Sequence, residues 1–253
     1  MKAVILAGGL GTRISEETTN KPKPMIKIGN KPILWHIMKI YSKYGINDFI
    51  ICGGYKINVI KAFFLKLKKE VNFTYGTKIQ NRNTINKKWN VQLINTGDRT
   101  NTGGRLKRLK GILKKEKFFF FTYGDGLSDI NIKKLLQFHI KNRTIATLTA
   151  VTPPSRFGVL KFKGNKILRF LEKRDFEKDY LVNGGFFVFS NKIFNYLRND
   201  KTVLEKEPIS NLTKKKEISG YKHNGFWFSM DTQRDHVHLN KLWKSKKPPW
   251  KIW

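Results

Sequence analysis

The residues best suited to chemistry lie near the start of the chain. The glycine-rich segment Gly8–Gly11 follows the apolar run Ala3–Ala7, and Arg13 and Lys23 come soon after it. Glycines leave no side chain between a turn and its ligand, so backbone N–H groups can approach phosphate oxygens closely. Arginine and lysine neutralise the charge of a polyphosphate. These residue types at this spacing predict a site that handles phosphate groups.

The segment differs from the two commonest glycine-rich phosphate loops. A dinucleotide-binding fingerprint needs a further glycine where Ile14 stands, and a P-loop needs Gly-Lys followed by serine or threonine. A glycine turn can also be purely structural. The order here is Gly-Gly-x-Gly-Thr-Arg, with Pro-Lys-Pro at residues 22–24, and the complete string favours a functional turn.

Two aspartates are candidates for holding a divalent cation. Asp125 lies between two glycines after the apolar run Phe118–Tyr123, and Asp231 follows the run Phe226–Met230. One or two carboxylates, together with water and phosphate oxygens, are the usual ligands of Mg²⁺. The alternatives are a simple Asp-Gly turn for Asp125 and a helix N-cap before Thr232 for Asp231.

Alternating strands and helices must position these residues. Apolar runs predict strands at 3–7, 49–52, 91–94, 118–123 and 147–151, and helical periodicity predicts helices at 32–41, 57–68, from 102 and at 132–139. This order predicts an α/β fold, a Rossmann-like, mostly parallel (mixed) sheet with helices on both faces. Ligands of such sheets bind at the carboxyl ends of strands, where the glycine turn and Asp125 are expected.

The second part of the chain is richer in strands, which are predicted at 159–162, 167–171 and 183–189. Weak alternation at 71–75 predicts a short strand or flap. We expect one domain over 1–253, with a nucleotide-binding part to about residue 150 and a small β-rich sugar-binding and C-terminal part from 151. Pro32 is expected in the first turn of its helix. The aromatic residues near Trp253 are expected to pack on the body or on a neighbouring subunit.

Composition limits the class of protein. The chain has 253 residues, of which 40% are hydrophobic and 13% aromatic, so we expect a globular protein with a buried core. The sequence has no apolar run of the roughly 20 residues that a membrane span needs, and the first strand leaves no room for a signal peptide. The single cysteine, Cys52, excludes an internal disulfide and predicts a buried thiol at a strand end. We therefore expect a cytoplasmic protein without a membrane partner.

The formal net charge of +33 would ordinarily suggest nucleic-acid binding. The lysines are spread along the whole chain among many asparagines and isoleucines, a mixture typical of an A- and T-rich genome. The sequence has no helix-turn-helix, zinc-finger or ribonucleoprotein motif. We therefore expect a solvated basic surface and no specific nucleic-acid partner, while attraction of anionic substrates stays open.

The chain resembles the sugar-nucleotide pyrophosphorylases, a nucleotidyltransferase family, in Gly8–Arg13 followed by residues 22–24. The motifs Thr102–Arg108 and Thr122–Gly126 resemble its glucose-1-phosphate cytidylyltransferase branch, and matching stretches continue to Pro248–Trp253. The resemblance implies the nucleotide-diphospho-sugar transferase fold, Mg²⁺ as cofactor, and transfer from CTP to glucose 1-phosphate, giving CDP-glucose for bacterial surface-sugar synthesis. It also implies a homo-oligomer, specifically a hexamer.

The resemblance further implies a role for individual positions. The nucleotide-binding positions would be Leu6, Gly8, Gly9, Gly11, Thr12, Arg13, Lys23, Thr102, Gly103 and Arg105, the last three beside the base or triphosphate. The positions for the sugar phosphate would be Gly158, Glu172, Lys173, Asn183 and Gly184. Asp125 and Asp231 would bind Mg²⁺, and the catalytic residues would be Arg13, Lys23 and Asp125.

The sequence departs from the family pattern in three places. Arg174 stands where proline is usual, Asn30 replaces a glycine, and residues 70–90 match poorly. The departures bear on the oligomeric state and the fit of the substrate.

Three alternatives remain beside the cytidylyl reaction: the same reaction with dTTP or UTP, a non-catalytic nucleotide-binding homologue, and a basic nucleic-acid-binding protein.

Overall fold

The computed structural model describes residues 1–67, 69–77, 89–154, 159–171, 180–245 and 247–253. Its strands are β1 (Lys2–Ala7), β2 (Lys27–Ile28), β3 (Lys31–Pro32), β4 (Asp48–Gly53), β5 (Val71–Tyr75), β6 (Trp89–Asn95), β7 (Phe118–Tyr123), β8 (Gly126–Ser128), β9 (Ala146–Val151), β10 (Val159–Lys163), β11 (Lys166–Leu171), β12 (Val182–Ser190), β13 (Ile218–His223) and β14 (Trp227–Ser229). Its α-helices are α1 (Ser15–Thr18), α2 (Ile33–Ser42), α3 (Ile57–Lys66), α4 (Thr102–Lys107), α5 (Lys110–Leu113), α6 (Ile132–Asn142), α7 (Glu207–Lys214) and α8 (Gln233–Lys244).

Eight strands form the central sheet in the order β13-β9-β12-β7-β1-β4-β6-β5. All neighbours are parallel except β12, which runs antiparallel to both β7 and β9. The predicted mostly parallel, mixed sheet is thus confirmed. Because β1 pairs with β7 in a register that sets Leu6 opposite Tyr123, the residues that follow these two strands meet at one edge of the sheet.

Both faces of the sheet are covered by helices, because the central strands are apolar on both sides. In β7, Phe120 packs into a cluster with α2, α3, α6 and α8, while Phe119 and Phe121 pack into a second cluster with α4, α5 and α7. Strands buried on both faces are typical of such layered sheets. No helix in the described ranges has the length and hydrophobicity that crossing a bilayer requires.

Two local predictions differ from the structure. Pro32 does not lie in the first helical turn. It ends β3 opposite Lys27 and is the N-cap of α2, with φ −64° and ψ 151°, because a proline tolerates the extended conformation at a short strand equally well. The helix predicted over 57–68 ends at Lys66, where the backbone N–H of Leu67 turns back to the carbonyl of Phe64.

The aromatic residues at the C-terminal end pack on the body of the protein, which was one of the two expected arrangements. Trp250 is fully buried and lies against Trp243 and Phe226, with ring centroids 6.1 and 5.7 Å away. Trp253 meets Trp35 of α2 at 5.9 Å. Cys52 is buried as predicted, and burial raises the pKa of its thiol to about 12.

Two buried histidines make the stability of this core depend on pH. Burial lowers the pKa of both His36 and His139 from 6.5 to about 4. The folded protein therefore keeps both neutral, whereas the unfolded chain binds protons once the pH falls below 6.5. The stabilising contribution of the two neutral histidines is therefore fully present above pH 6.5, and it is lost as the pH drops towards 4. We expect a loss of about 2 kcal/mol per histidine between about pH 7 and pH 5.

Urea unfolding at a series of pH values in this range measures the loss. His139 donates to or accepts from Thr147 Oγ1 at 2.8 Å, a bond that glutamine can also make. Between about pH 7 and pH 5, the free energy of unfolding of the variant His139→Gln should therefore fall by about half as much as that of the wild-type protein. An identical pH dependence in the two proteins would contradict the assignment of His139.

Candidate active site

A cavity of about 840 Å³ opens where β1 and β7 end. Backbone and side chains of the glycine turn form one part of its wall, and residues before and within α4 form another. Its lining includes Leu6, Gly9, Gly11, Thr12, Arg13, Lys23, Asp98, Arg99, Thr102, Arg105, Tyr123, Asp125, Asn183 and Glu205. Most of the residues predicted to bind the nucleotide therefore line one space.

The glycine turn is shaped for close backbone approach. Gly11 has φ +68°, in the left-handed region, and a Cβ there would lie 2.8 Å from Thr18 Cγ2. Thr18 also donates a hydrogen bond from its hydroxyl to the Gly11 carbonyl at 3.2 Å. Gly9 faces open space, whereas a Cβ on Gly8 would collide with the guanidinium of Arg105. The outer part of the turn is thus free for a ligand, and its inner part rests on Arg105.

Arg105 borders the cavity but is almost completely buried, and its N–H groups bind the protein. It donates to the carbonyls of Gly8 at 2.8 Å, Gly97 at 2.7 Å and Gly53 at 3.2 Å, and to Thr96 Oγ1 at 2.7 Å. These acceptors lie where β1, β4 and β6 end. Arg105 therefore ties three strand ends together under the glycine turn, and its expected place beside the base or triphosphate stays a prediction.

The two other predicted residues of this motif, Thr102 and Gly103, lie in different surroundings. Thr102 lines the cavity, as expected for a nucleotide-binding residue. Gly103 is buried against the loop before α7, and a Cβ there would lie 2.8 Å from Thr202 Cγ2. Its small size thus serves the packing of α4 on that loop.

Lys23 lies between the two predicted metal ligands. Its Nζ is 2.7 Å from Asp125 Oδ2 and 2.8 Å from Asp231 Oδ1, and Arg13 Nη2 reaches Asp231 Oδ1 at 3.1 Å. Only 10% of the Lys23 side chain is exposed, against 74% of Arg13. The structure therefore joins four predicted residues, which come from three separate segments of the chain, at one edge of the cavity.

The electrostatics of this cluster favour the charged forms. Burial alone would lower the pKa of Lys23, but the negative charges of Asp125 and Asp231 outweigh it and raise that pKa above its usual value. Burial alone would raise the pKa of Asp231, but the hydrogen bond and charge of Lys23, with help from Ser229 and Arg13, lower it. Lys23 is thus held as a cation and Asp231 as an anion at neutral pH.

The two aspartates take part in the charged cluster and not in the local turn or helix cap that are their alternative roles. The N-cap of α8 is Thr232, which forms a capping box with Asp235, so Asp231 does not cap the helix. The Asp125 carbonyl accepts a hydrogen bond from the Met230 N–H at 2.9 Å, while its carboxylate reaches Lys23. Other hydrogen bonds hold the backbone at both aspartates, so their carboxylates are available at the cavity edge.

Most of the chain matches one protein-family model. The sequence matches the family model described as Nucleotidyl transferase over residues 2–235. The chain belongs to the nucleotidyl transferase family. Its relatives include a glucose-1-phosphate cytidylyltransferase of Salmonella typhimurium, which is 49% identical over 257 residues and matched over 100% of both chains.

More distant nucleotidyl transferases are similar as well. A mannose-1-phosphate guanyltransferase of Saccharomyces cerevisiae is 28% identical, over 100% of this chain and 68% of the yeast protein. The solved structure of a UDP-glucose pyrophosphorylase complexed with UDP-glucose has the same fold, with a TM-score of 0.70 and 17% identity over 97% of this chain and 99% of that one. The predicted fold class is therefore confirmed.

The carboxylates of this nucleotidyl transferase fit a hard divalent cation. Asp125 and Asp231 both lie within hydrogen-bonding distance of the same Lys23 nitrogen, so the two carboxylates face one point at the cavity edge. The described residues contain no group of three or more potential metal-ligating side chains. A site with two carboxylates, completed by substrate oxygens and water, suits Mg²⁺ better than a metal that needs a full protein shell.

The sugar-phosphate residues are only partly described. Asn183 and Gly184 follow Val182 in the first part of β12, beside the cavity, and the indole N–H of Trp227 donates to the Gly184 carbonyl at 2.6 Å. The predictions for Gly158, Glu172 and Lys173 lie outside the described residues. The prediction that these positions bind the sugar phosphate stays a prediction.

Sequence reasoning missed several lining residues, among them Tyr123 and Glu205. Tyr123 stands inside the motif Thr122–Gly126, and its position at the end of the apolar strand β7 was a usable signal. Glu205 lies in a polar segment without a motif, and no pattern in the sequence could have indicated its place in the cavity.

Proposed function

We propose that this chain transfers a cytidylyl group from CTP to α-D-glucose 1-phosphate and so forms CDP-glucose and pyrophosphate. The observation that carries the proposal is the meeting of Lys23, Asp125 and Asp231 beside a glycine turn at the cavity edge. The 49% identity to the Salmonella glucose-1-phosphate cytidylyltransferase over the full length supports the choice of both substrates.

The proposed reaction is an in-line displacement at the α-phosphorus of CTP. A phosphate oxygen of the sugar phosphate forms the new bond, the bond from the α-phosphorus to the β-phosphate oxygen breaks, and pyrophosphate leaves with that electron pair. The attacking phosphate is already anionic, so the protein needs no general base. Catalysis then depends on positioning two polyanions and on stabilising the charge that develops on the α-phosphoryl group.

Each residue of the site has a separate role in binding or neutralising the phosphates, according to its position. The backbone of the turn at Gly9 and Gly11 receives the phosphates of the nucleotide, and the exposed Arg13 neutralises the triphosphate. Lys23, buried and cationic, meets the α-phosphate. Mg²⁺ held by Asp125 and Asp231 would supply further neutralisation of phosphate oxygens when bound.

A nucleotide panel tests the proposal. Pyrophosphate release is measured with CTP, UTP, dTTP, ATP and GTP, each with glucose 1-phosphate and Mg²⁺. Release fastest with CTP and abolished by EDTA supports the proposal. Fastest release with UTP or dTTP would keep the reaction type and correct the nucleotide. No release from folded protein with any nucleotide would contradict the proposed function and favour a non-catalytic homologue.

The metal role of Asp125 gives a separate prediction. Asp125→Ala should lower the rate of pyrophosphate release at least about 100-fold, or ~2.7 kcal/mol, because one of two charged ligands is lost. The loss should be partly recovered by raising the Mg²⁺ concentration. Glu116→Gln is a suitable control, since Glu116 pairs with Lys2 away from the cavity at 2.5 Å. Wild-type metal dependence in Asp125→Ala would contradict this role.

We also propose that the chain forms one catalytic domain and acts in the cytoplasm as a homo-oligomer, a hexamer, in bacterial surface-sugar synthesis. The support is the resemblance to the cytidylyltransferase branch. Light scattering after size-exclusion chromatography tests the hexamer, and a monomer with full activity would contradict it.

A further inference from the structure

Glu205 joins two walls of the active-site cavity. Its carboxylate accepts hydrogen bonds from the hydroxyl of Tyr123 at 2.5 Å and from the hydroxyl of Thr102 at 2.6 Å. Tyr123 ends β7, and Thr102 begins α4. The neighbouring Leu204 is fully buried, and its N–H donates to Thr102 Oγ1 at 2.9 Å. The carboxylate is thus held at a defined place in the cavity wall.

The charge of Glu205 is unusual for its position. A cavity that receives two polyanions gains nothing from a carboxylate near the phosphates, since like charges repel. Glu207, two residues later, forms an ion pair with Arg198 at 2.6 Å, whereas Glu205 binds two neutral hydroxyls. A carboxylate that receives hydroxyl donors suits the uncharged part of the bound substrates.

The bonds continue from Tyr123 to Asn183. The Tyr123 oxygen accepts from Asn183 Nδ2 at 3.3 Å, and Asn183 Oδ1 accepts from the N–H of Gly185 at 2.9 Å. Because a carboxylate can only accept, it directs the Tyr123 proton towards Glu205 and leaves the oxygen lone pairs for Asn183. Burial first, and then the negative charge of Glu205, raise the pKa of Tyr123, so its hydroxyl stays protonated.

This arrangement determines how the amide of Asn183 is turned. Its oxygen is bound to the backbone of β12, and one of its two N–H groups is bound to Tyr123. The second N–H is then available on an exposed side chain that lines the cavity. Without an acceptor at Glu205, the Tyr123 hydroxyl could rotate and donate elsewhere, and the amide would lose a fixed partner.

We propose that Glu205 is a positioning residue for the sugar phosphate: through the Tyr123 hydroxyl it fixes the Asn183 amide, whose free N–H donates to an oxygen of that substrate. The inference rests on the proposed function for the identity of the substrate. Glu205 itself takes no part in the phosphoryl chemistry. Its removal should affect the binding of the sugar phosphate more than that of the nucleotide.

Steady-state kinetics of the full chain test the inference. Glu205→Ala should raise the KM for glucose 1-phosphate about tenfold, equivalent to ~1.4 kcal/mol, and should raise the KM for CTP less, although Glu205 also binds Thr102. Glu205→Gln keeps an acceptor and should recover most of the loss. Tyr123→Phe should match Glu205→Ala, and the double variant should be no worse than either single one. Glu207→Gln is the matched control and should behave as wild type.

Several results would overturn the inference. They are an unchanged KM for glucose 1-phosphate in Glu205→Ala, an equal rise for both substrates, or effects of Glu205→Ala and Tyr123→Phe that multiply in the double variant. If Glu205→Ala does not fold, Tyr123→Phe gives the same comparison, because it removes the same hydrogen bond.

Calorimetric binding of glucose 1-phosphate, with a non-hydrolysable CTP analogue present, separates this inference from the proposed function. Should wild type release no pyrophosphate but bind glucose 1-phosphate, and Glu205→Ala bind it about tenfold more weakly, the reaction would be wrong and the positioning role supported. No binding of glucose 1-phosphate by wild type would overturn both.

Discussion

Replacing Lys23 by alanine is expected to lower the rate of pyrophosphate release at least about 100-fold, a loss of ~2.7 kcal/mol of transition-state stabilisation. The physical reason is the position of the ammonium group. It is nearly buried, and its two carboxylate partners keep it charged and in place. A fixed cation in a space that excludes water stabilises developing negative charge far more than a mobile one in solvent.

The matched control is Lys21→Ala, since Lys21 lies in the same loop and pairs with Glu17 at 2.8 Å outside the cluster. It should keep nearly full activity. Removing Lys23 also leaves Asp125 and Asp231 without their shared cation, so thermal unfolding should be followed with and without Mg²⁺ to separate activity from folding. A folded Lys23→Ala protein within tenfold of wild-type activity would contradict the role assigned to Lys23.

Replacing Arg105 by methionine is expected to lower the free energy of unfolding by about 3–5 kcal/mol. Methionine fills much of the same space but donates no hydrogen bond. The carbonyls of Gly8, Gly53 and Gly97 would then lose the guanidinium as a donor, although Gly8 keeps a bond from the Tyr55 N–H and Gly53 keeps bonds from Thr96. The cost comes from losing several hydrogen bonds with a charged donor at once, each of which contributes more than a bond between neutral groups.

Urea unfolding measures this loss against two further variants. Arg108→Met removes an exposed arginine of the same segment, paired with Asp200 at 2.6 Å, and should cost less than about 1 kcal/mol. Arg105→Lys should lie between wild type and Arg105→Met, because one ammonium reaches fewer of the acceptors. A loss below about 1 kcal/mol in Arg105→Met would mean that water satisfies the strand ends without the guanidinium.

The sequence was sufficient to predict the position of those site residues that directly follow strands. The apolar runs before the glycine turn and before Asp125 predicted two buried strands, and the rule that ligands collect at carboxyl ends predicted their meeting. The β1–β7 register confirms that expectation. The antiparallel direction of β12 could not be predicted in this way, since its apolar residues pack equally well in either direction.

Other parts of the site had no such signal. Asp231 lies far along the chain from Lys23, and only the family resemblance indicated that the two would be neighbours. The acceptors of Arg105 are mostly backbone carbonyls, and carbonyls belong to every residue type, so nothing in the sequence marks them. Glu205 was missed because a tertiary contact between a loop and a strand end has no local pattern.

The burial of Trp250 also bears on the order in which the protein can fold on the ribosome. This ring packs against Trp243 and Phe226, and through His36 it meets a helix that is made early in synthesis. One side of the core therefore cannot close until the chain has been synthesised as far as Trp250. Until then α2 presents an apolar face to solvent or to chaperones, which makes the nascent chain prone to aggregation.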